Sequence, residues 1–507
     1  MKPVTVTDPA GSYLTASRRL RELEAAAERT VDVLVIGGGV TGCGAALDAA
    51  SRGLTVVLVE KDDLAHGTSR WSSKLVHGGL RYLASGDLGL VRESAREREL
   101  LLRRTAPHLV RPLPMAIPLS RDVSPRNGLL IDVGQRVADG FRFAAGTPRA
   151  TLPRPRRIGV AETTRLLPGV RQAGLRGGLL NWDGQLEDDA RLVVGLARTA
   201  AAHGANILTR TRVLSADGAG AEVRDELTGG TVRFKARHVV NATGAWADQL
   251  APETRLRPSK GVHVVLAAAT LGNPGASMTV PVPEEGNRYV FALPHPDGLV
   301  YVGLTDDPID GPLPEVAVAQ ESEIAFLLEV LSRGLERPLR RSDVVGSFAG
   351  VRPLLAGTDD RTADLSRKHA VVQSENGLWT ALGGKLTTYR RMAQDVVDQL
   401  TDRPCQTTNL PLVGATAVPA ARSTPARLVR RYGSEADQVA ALATDDQRLL
   451  APVAPGLPVL GVELVWGVVA EGALCAEDLL ERRTRLSLVD AWHEAARPAA
   501  AEAFAQA

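Results

Sequence analysis

The chain has 507 residues, with 60 Lys plus Arg against 58 Asp plus Glu and a formal net charge of +2. That length accommodates two or three domains, and a hydrophobic content of 44% supplies real cores. The near-neutral balance gives no reason to expect a nucleic-acid partner. Three cysteines, Cys43, Cys405 and Cys475, stand far apart and form neither a disulfide framework nor a metal spacing, so no metal is expected and a reducing cytoplasmic interior fits.

Tyr13–Arg29 is a charged, Ala-rich helical stretch without the apolar run of a secretory signal. Val31–Ile36 then has the composition of a buried parallel strand, and Gly37-x-Gly39-x-x-Gly42 follows at once. Gly37 permits the tight turn, Gly39 lets the backbone approach a pyrophosphate, and Gly42 lets a helix sit against the strand. That helix, Cys43–Arg52, presents its N-terminal N–H groups to the phosphates. Thr55–Val59 is the second strand and ends at Glu60, a carboxylate placed to accept from a ribose 2′-hydroxyl, which argues against NADP. A dinucleotide site follows from the order of these parts rather than from the glycines alone.

Next comes a block rich in donors, Ser72-Ser73-Lys74-Leu75-Val76-His77-Gly78-Gly79-Leu80-Arg81-Tyr82. From Arg92 to Arg176 there are 17 Arg against 7 acids, a net of +10, with apolar pieces Leu100–Leu102, Met115–Leu119 and Leu129–Ile131 between them. A basic surface with embedded apolar residues suits an anionic membrane face. No run of about 18 apolar residues exists for a spanning helix. His263–Leu266, Arg288–Leu293 and Leu299–Leu304 alternate as strands of an antiparallel sheet, expected to floor a substrate site. Strand-to-glycine junctions recur at Arg237–Trp246, containing Thr243 and Gly244, and at Leu378–Tyr389, containing Gly384, Lys385, Leu386 and Thr387. A cofactor approached from three distant stretches resembles the FAD-binding domain of the glutathione-reductase type.

Ser72–Tyr82, Ser347–Pro353 and Gly383–Tyr389 together resemble the FAD-dependent glycerol-3-phosphate dehydrogenase family. Asp63–Ser69, Pro258–His263 and Gly303–Asp306 fit the same pattern. So does the tail Glu471…Asp478-Leu-Leu-Glu-Arg-Arg-Thr-Arg-Leu486. The resemblance implies an α/β fold with an α+β cap: a Rossmann FAD-binding domain, an antiparallel-sheet substrate domain and a helical C-terminal domain. The expected boundaries are 30–110, 158–257 and 346–401 for the FAD domain, and 111–157 for a basic insertion. Residues 258–345 are expected to form the sheet domain, 402–425 a linker, and 426–507 the helical domain.

The family further implies noncovalent FAD, oxidation of sn-glycerol 3-phosphate to dihydroxyacetone phosphate, and delivery of electrons to a quinone. An oxidase using oxygen, another amino-acid-oxidase-superfamily flavoenzyme and a non-catalytic flavin-bound membrane-surface protein are the competing readings. Expected partners are the substrate, a quinone, an anionic membrane surface on the cytoplasmic face and a second copy in a homodimer.

By resemblance, Arg81 and Arg352 grip the substrate phosphate, Tyr82 packs or donates beside it, and Lys385 serves substrate, flavin or both. His263 is the expected base or hydroxyl orienter, and His77 a flavin or substrate partner; imidazole titrates near working pH. With Arg352 these two histidines form the expected catalytic set. Gly37, Gly39, Gly42, Glu60, Thr68, Ser69, Ser72, Ser73, Lys74, His77, Val213, Thr243, Gly244, Gly384, Lys385, Leu386 and Thr387 are the expected cofactor contacts. His66, between Glu60 and Thr68, is a loop residue with no expected covalent link to FAD. Only seven residues are Lys, and three of them, Lys74, Lys260 and Lys385, fall inside these motifs, where a compact ammonium fits better than a guanidinium.

Overall fold

The computed structural model describes residues 11–79, 83, 86–283, 288–303, 305–356, 368–416 and 420–507. β-Branched, apolar runs buried on both faces, Val33–Ile36 and Val56–Val59, form the middle of the first sheet, as a parallel sheet requires. Six of its eight strands lie in the order His369–Gln373, Trp379–Gly383, Thr231–Asn241, Thr30–Ile36, Val56–Val59 and Asn206–Leu208, and the hairpin Thr211–Asp217 and Gly220–Asp225 extends it from Thr231–Asn241. All neighbours in that path are parallel except the outer pair His369–Gln373 and Trp379–Gly383. Helices Val40–Ser51, Asp189–Ala202 and Tyr389–Val397 cover one face and share a core with Val33, Val35 and Leu58.

The second sheet has ten strands, mostly antiparallel. Ser259–Ala267 lies between Leu299–Gly303 and Val344–Arg352. Tyr289–Pro294 and Ser277–Pro281 continue it, and Val110–Pro118 and Gly178–Leu186 follow. The segments assigned to the basic insertion and to the second FAD stretch therefore each give a strand to the substrate sheet. Pro112 and Pro114 concealed the first of these strands. Val110–Pro118 pairs on one side along its whole length, but on the other only at Met115 and Ala116, so both prolines lie on an edge where no donor is needed. Leu100, Leu101, Leu102 and Ile117 are buried, so two of the apolar pieces read as membrane-facing belong to the core instead.

The C-terminal unit has its own core around Trp466, Tyr432, Leu428 and Leu480. The stretch before it, expected to be a separating linker, is strapped to the FAD unit. Thr407 Oγ1 donates to Asp48 at 2.8 Å, Leu412 N–H to Thr105 O at 2.8 Å, and Val413 N–H to Thr199 Oγ1 at 3.0 Å. Ion pairs between arginines and carboxylates then lock the two units. Arg482 and Arg483 both reach Asp63, Arg191 reaches Glu471, and Arg431 reaches Asp188, all of these side chains being buried.

Candidate active site

A cavity of about 1290 Å³ opens between the two sheets, larger than a small-ligand pocket and sized for a dinucleotide with a substrate. One end is the glycine turn. Gly37 has φ +110°, and a Cβ there would lie 2.6 Å from Ala242 O; a Cβ at Gly42 would fall on the Gly37 carbonyl oxygen. Gly42 thus sets the helix against the strand without itself reaching the cavity, whereas Gly37 and Gly39 line it. The helix starts without a cap of its own, and Ser69 Oγ accepts the Val40 N–H at 2.9 Å. Substitution of Gly42 by Val is expected to abolish FAD retention and to lower Tm sharply, read as loss of yellow colour on purification and by calorimetry.

Glu60 is fixed for its expected task. Its Oε2 accepts the Gly38 N–H at 2.6 Å and its Oε1 the Asp62 N–H at 2.9 Å, and a carboxylate bonded twice keeps acceptor capacity for a ribose hydroxyl. Burial raises its pKa above the usual carboxylate range. Val213 and His66 line the same end of the cavity. The His66 ring stands 3.7 Å from Asp62, and burial lowers its pKa. Thr243 and Gly244 enter from the end of the central strand, with Thr243 Oγ1 donating to Asn241 at 2.7 Å. Gly384, Leu386 and Thr387 enter from the third stretch. The cradle, the helix terminus and the bonded acid fit FAD, which Gly37, Gly39 and Glu60 would hold.

At the other end, the cavity is lined by His77, His263, Arg352 and Lys385, four residues spread over some three hundred positions. Thr68, Ser69, Ser72 and Ser73 line the stretch between. Their hydroxyls are engaged within the protein: Thr68 Oγ1 donates to Val351 O at 2.6 Å, and Ser72 Oγ to Asp189 at 2.8 Å. Ser73 Oγ lies 2.8 Å from His263 Nε2. Burial, with the charges of Lys74 and Arg352, pushes the His263 pKa down to about 3, so its imidazole is neutral. Arg352 bonds Asp306 at 2.9 Å, Thr305 O at 2.8 Å and Ser259 Oγ at 3.3 Å. Lys385 Nζ bonds Ser94 Oγ.

Three glycines on adjacent strands make room for these groups. A Cβ at Gly261 would overlap the Arg352 guanidinium, one at Gly303 the His263 ring, and one at Gly350 would lie 2.7 Å from the Trp71 Cβ. The glycines of the motifs are therefore spaces for large neighbours as well as turns.

Lys74, like Gly42, is corrected as an expected cofactor contact, and Lys260 as a motif lysine near the site. Lys74 is 1% exposed and does not line the cavity; its ammonium bonds Asp189 at 3.0 Å and stands 4.7 Å from the Phe348 ring centroid. Burial lowers its pKa to about 8, against the pull of Asp189. Lys260 pairs with Glu323 at 2.9 Å, on the face of the sheet away from the cavity. Of the three motif lysines only Lys385 reaches the site. Arg81 and Tyr82 lie outside the described residues.

Asp189, Asp306 and Ser94 were missed by sequence reasoning. Asp189 had a signal: Glu187-Asp188-Asp189 opens a helix, and Asp188 alone serves as the cap, which leaves neighbouring acids to face cations.

Residues 32–390 match the family model described as FAD dependent oxidoreductase, and 405–507 the one described as the C-terminal domain of alpha-glycerophosphate oxidase. Glycerol-3-phosphate dehydrogenase 1 of Mycobacterium tuberculosis is 49% identical over 497 residues, covering 95% of this chain and 96% of that protein. Glycerol-3-phosphate dehydrogenase of Synechocystis sp. is 34% identical, covering 90% and 89%. The crystal structure of glycerol-3-phosphate dehydrogenase from Bacillus halodurans complexed with FAD superposes with a TM-score of 0.74 at 29% identity, covering 97% of this chain and 94% of that one. With a glycine cradle and bonded acid at one end of the cavity and histidine, arginine and lysine at the other, the chain belongs to the FAD-dependent oxidoreductases, among the glycerol-3-phosphate dehydrogenases.

Proposed function

We propose that this chain oxidises sn-glycerol 3-phosphate to dihydroxyacetone phosphate and passes the electrons to a quinone at a membrane surface. The observation that carries the reading is the convergence of His263, Arg352 and Lys385 on the cavity that also holds the dinucleotide turn. FAD, which Gly37, Gly39 and Glu60 would hold, would supply the two-electron acceptor for the carbinol hydrogen.

Arg352 and Lys385 set two cations on the wall for the phosphate dianion. Asp306 and Thr305 fix the guanidinium plane, so little side-chain order is lost on binding. Neutral His263 accepts the hydroxyl proton at Nε2, directly or through the Ser73 hydroxyl. A phosphate dianion opposes the Lys74 and Arg352 charges that depress this imidazole, and so raises its basicity as substrate binds.

For the membrane, support comes from the helix Pro125–Ala144. Leu129, Leu130, Val133, Val137 and Phe143 are between 47% and 76% exposed, and Leu130, Val133 and Val137 also rim the cavity. Arg126 and Arg136 on the helix, and Arg121, Arg149 and Arg154 flanking it in sequence, are exposed. Apolar rim and basic border suit an anionic lipid surface from which a quinone reaches the cavity. Among the described residues no helix is long and apolar enough to cross a membrane.

Anaerobic titration of the purified protein with glycerol 3-phosphate is expected to bleach the flavin, and a quinone analogue to restore its colour. Flavin that stays oxidised removes the substrate assignment. Recolouring by oxygen with peroxide release, but not by the quinone, replaces the dehydrogenase by an oxidase.

A further inference from the structure

A file of planar groups, two of which (Trp71 and His263) line the cavity, runs from the C-terminal domain to His263. The Arg485 guanidinium lies 5.0 Å from the Trp71 ring centroid, and that of Arg70 lies 4.3 Å from it. Trp71 stacks on Phe348 at 5.8 Å and 24°, and Phe348 on His263 at 4.6 Å and 12°. Tyr301 meets the Phe348 ring edge-on at 5.7 Å. Leu488 and Val489, a few residues past Arg485, pack into the same cluster.

His263 has no room to turn. Its strand neighbours are Phe348 on one side and Gly303 on the other, and a Cβ at Gly303 would already collide with the ring. The imidazole plane is therefore set by the Phe348 plane. Phe348 is in turn held against Trp71, and Trp71 against the two guanidiniums.

Arg485 is held with unusual care. It occupies the left-handed region at φ 64° and ψ 21°, where a side-chain-bearing residue persists only if its surroundings over-determine it. Its Nη1 donates to Glu481 O at 2.7 Å and its Nη2 to Arg70 O at 2.5 Å. Lys74, whose ammonium faces the same phenyl ring, has φ 52°. Two of the five non-glycine residues with positive φ among the described residues thus border one stack.

We propose that Arg485 of the C-terminal domain is a positioning residue for the redox reaction, fixing the His263 ring through Trp71 and Phe348. The proposal rests on His263 as the proton acceptor and assigns the C-terminal domain a part in the reaction geometry. Misplacements of about an ångström at the acceptor slow proton transfer without weakening phosphate binding.

The test is anaerobic stopped-flow reduction of the FAD-loaded full-length enzyme by glycerol 3-phosphate. Arg485→Gly keeps the left-handed backbone and removes the guanidinium. Its FAD content is expected to match wild type and its substrate Kd to stay within about twofold, while the limiting reduction rate falls at least about tenfold. Phe348→Leu, in the sheet and leaving every residue of the C-terminal domain unchanged, is expected to fall by a similar factor. The double variant is expected to be no slower than the slower single one. A wild-type rate in Phe348→Leu or in a folded Arg485→Gly, or losses that multiply in the double variant, overturns the proposal. His263→Ala separates the two layers: a wild-type rate there removes the proton-acceptor reading itself, whereas a slow His263→Ala beside a wild-type Arg485→Gly removes only the positioning role.

Discussion

Arg352→Ala is expected to emerge yellow, with full FAD, and to bind glycerol 3-phosphate about 10²–10³-fold more weakly, a loss of about 3–4 kcal/mol. The cofactor is expected to stay bound because the residues that would hold it, Gly37, Gly39 and Glu60, make no contact with Arg352. The size of the loss has two sources. One cation of the phosphate grip disappears, and Asp306, only 7% exposed at its side chain, loses the guanidinium 2.9 Å away. A carboxylate kept on that wall repels the incoming dianion. Adding Asp306→Asn should therefore recover part of the affinity, and Arg352→Lys should fall between, keeping the charge but not the fork. Steady-state KM with a flavin absorbance count decides it, and an unchanged KM in Arg352→Ala removes Arg352 from the substrate site.

Asp63→Ala is expected to be the most damaging single change outside the cavity. Asp63 accepts from Arg482 Nε at 2.6 Å and from Arg483 at 2.7 and 2.9 Å, with all three side chains buried. Removing the shared carboxylate leaves two buried guanidiniums short of their counter-ion, at about 3–5 kcal/mol. A fall in Tm on the order of 10 °C follows, along with looser FAD, since Asp63 is three residues past Glu60. The two arginines hold Asp63 well below the usual carboxylate range. Its lowered pKa means the pair stabilises fully above the ordinary aspartate value of about 3.9 and is lost progressively as the pH falls below it. The variant's Tm should accordingly depend less on pH on the acid side, and melting curves across that range give the comparison. A Tm within a degree or two of wild type contradicts the interlock.

The local features were the legible ones. A glycine turn between two apolar strands obeys backbone constraints that travel with the sequence, and the acid at the end of the second strand does too. Orientation was harder to read. Lys260 and His263 stand in one strand, an odd number of residues apart, so strand alternation alone puts them on opposite faces. Once His263 is turned to the cavity, Lys260 cannot be. The same alternation places Phe348 on the face of Arg352, a neighbour that composition alone did not single out. Lys74 misled because its motif is glycine-rich on one side only, and its partner Asp189 is over a hundred residues away. Strand partners 110–118 and 178–186 were hidden for a related reason: pairing with 277–281 and its neighbours is a tertiary fact, and the prolines argued against it locally.

The order of strands in the first sheet also constrains how the protein is made. Thr30–Ile36 and its glycine turn leave the ribosome early, but the neighbours that complete the cofactor cradle, Thr231–Asn241 and Trp379–Gly383, come about two hundred and three hundred and fifty residues later. Such distant pairings form slowly, and the unsatisfied strand edges stay exposed while synthesis continues. FAD can therefore be captured only once Trp379–Gly383 has been synthesised, so a shortage of it acts on chains that already carry all three strands of the cradle.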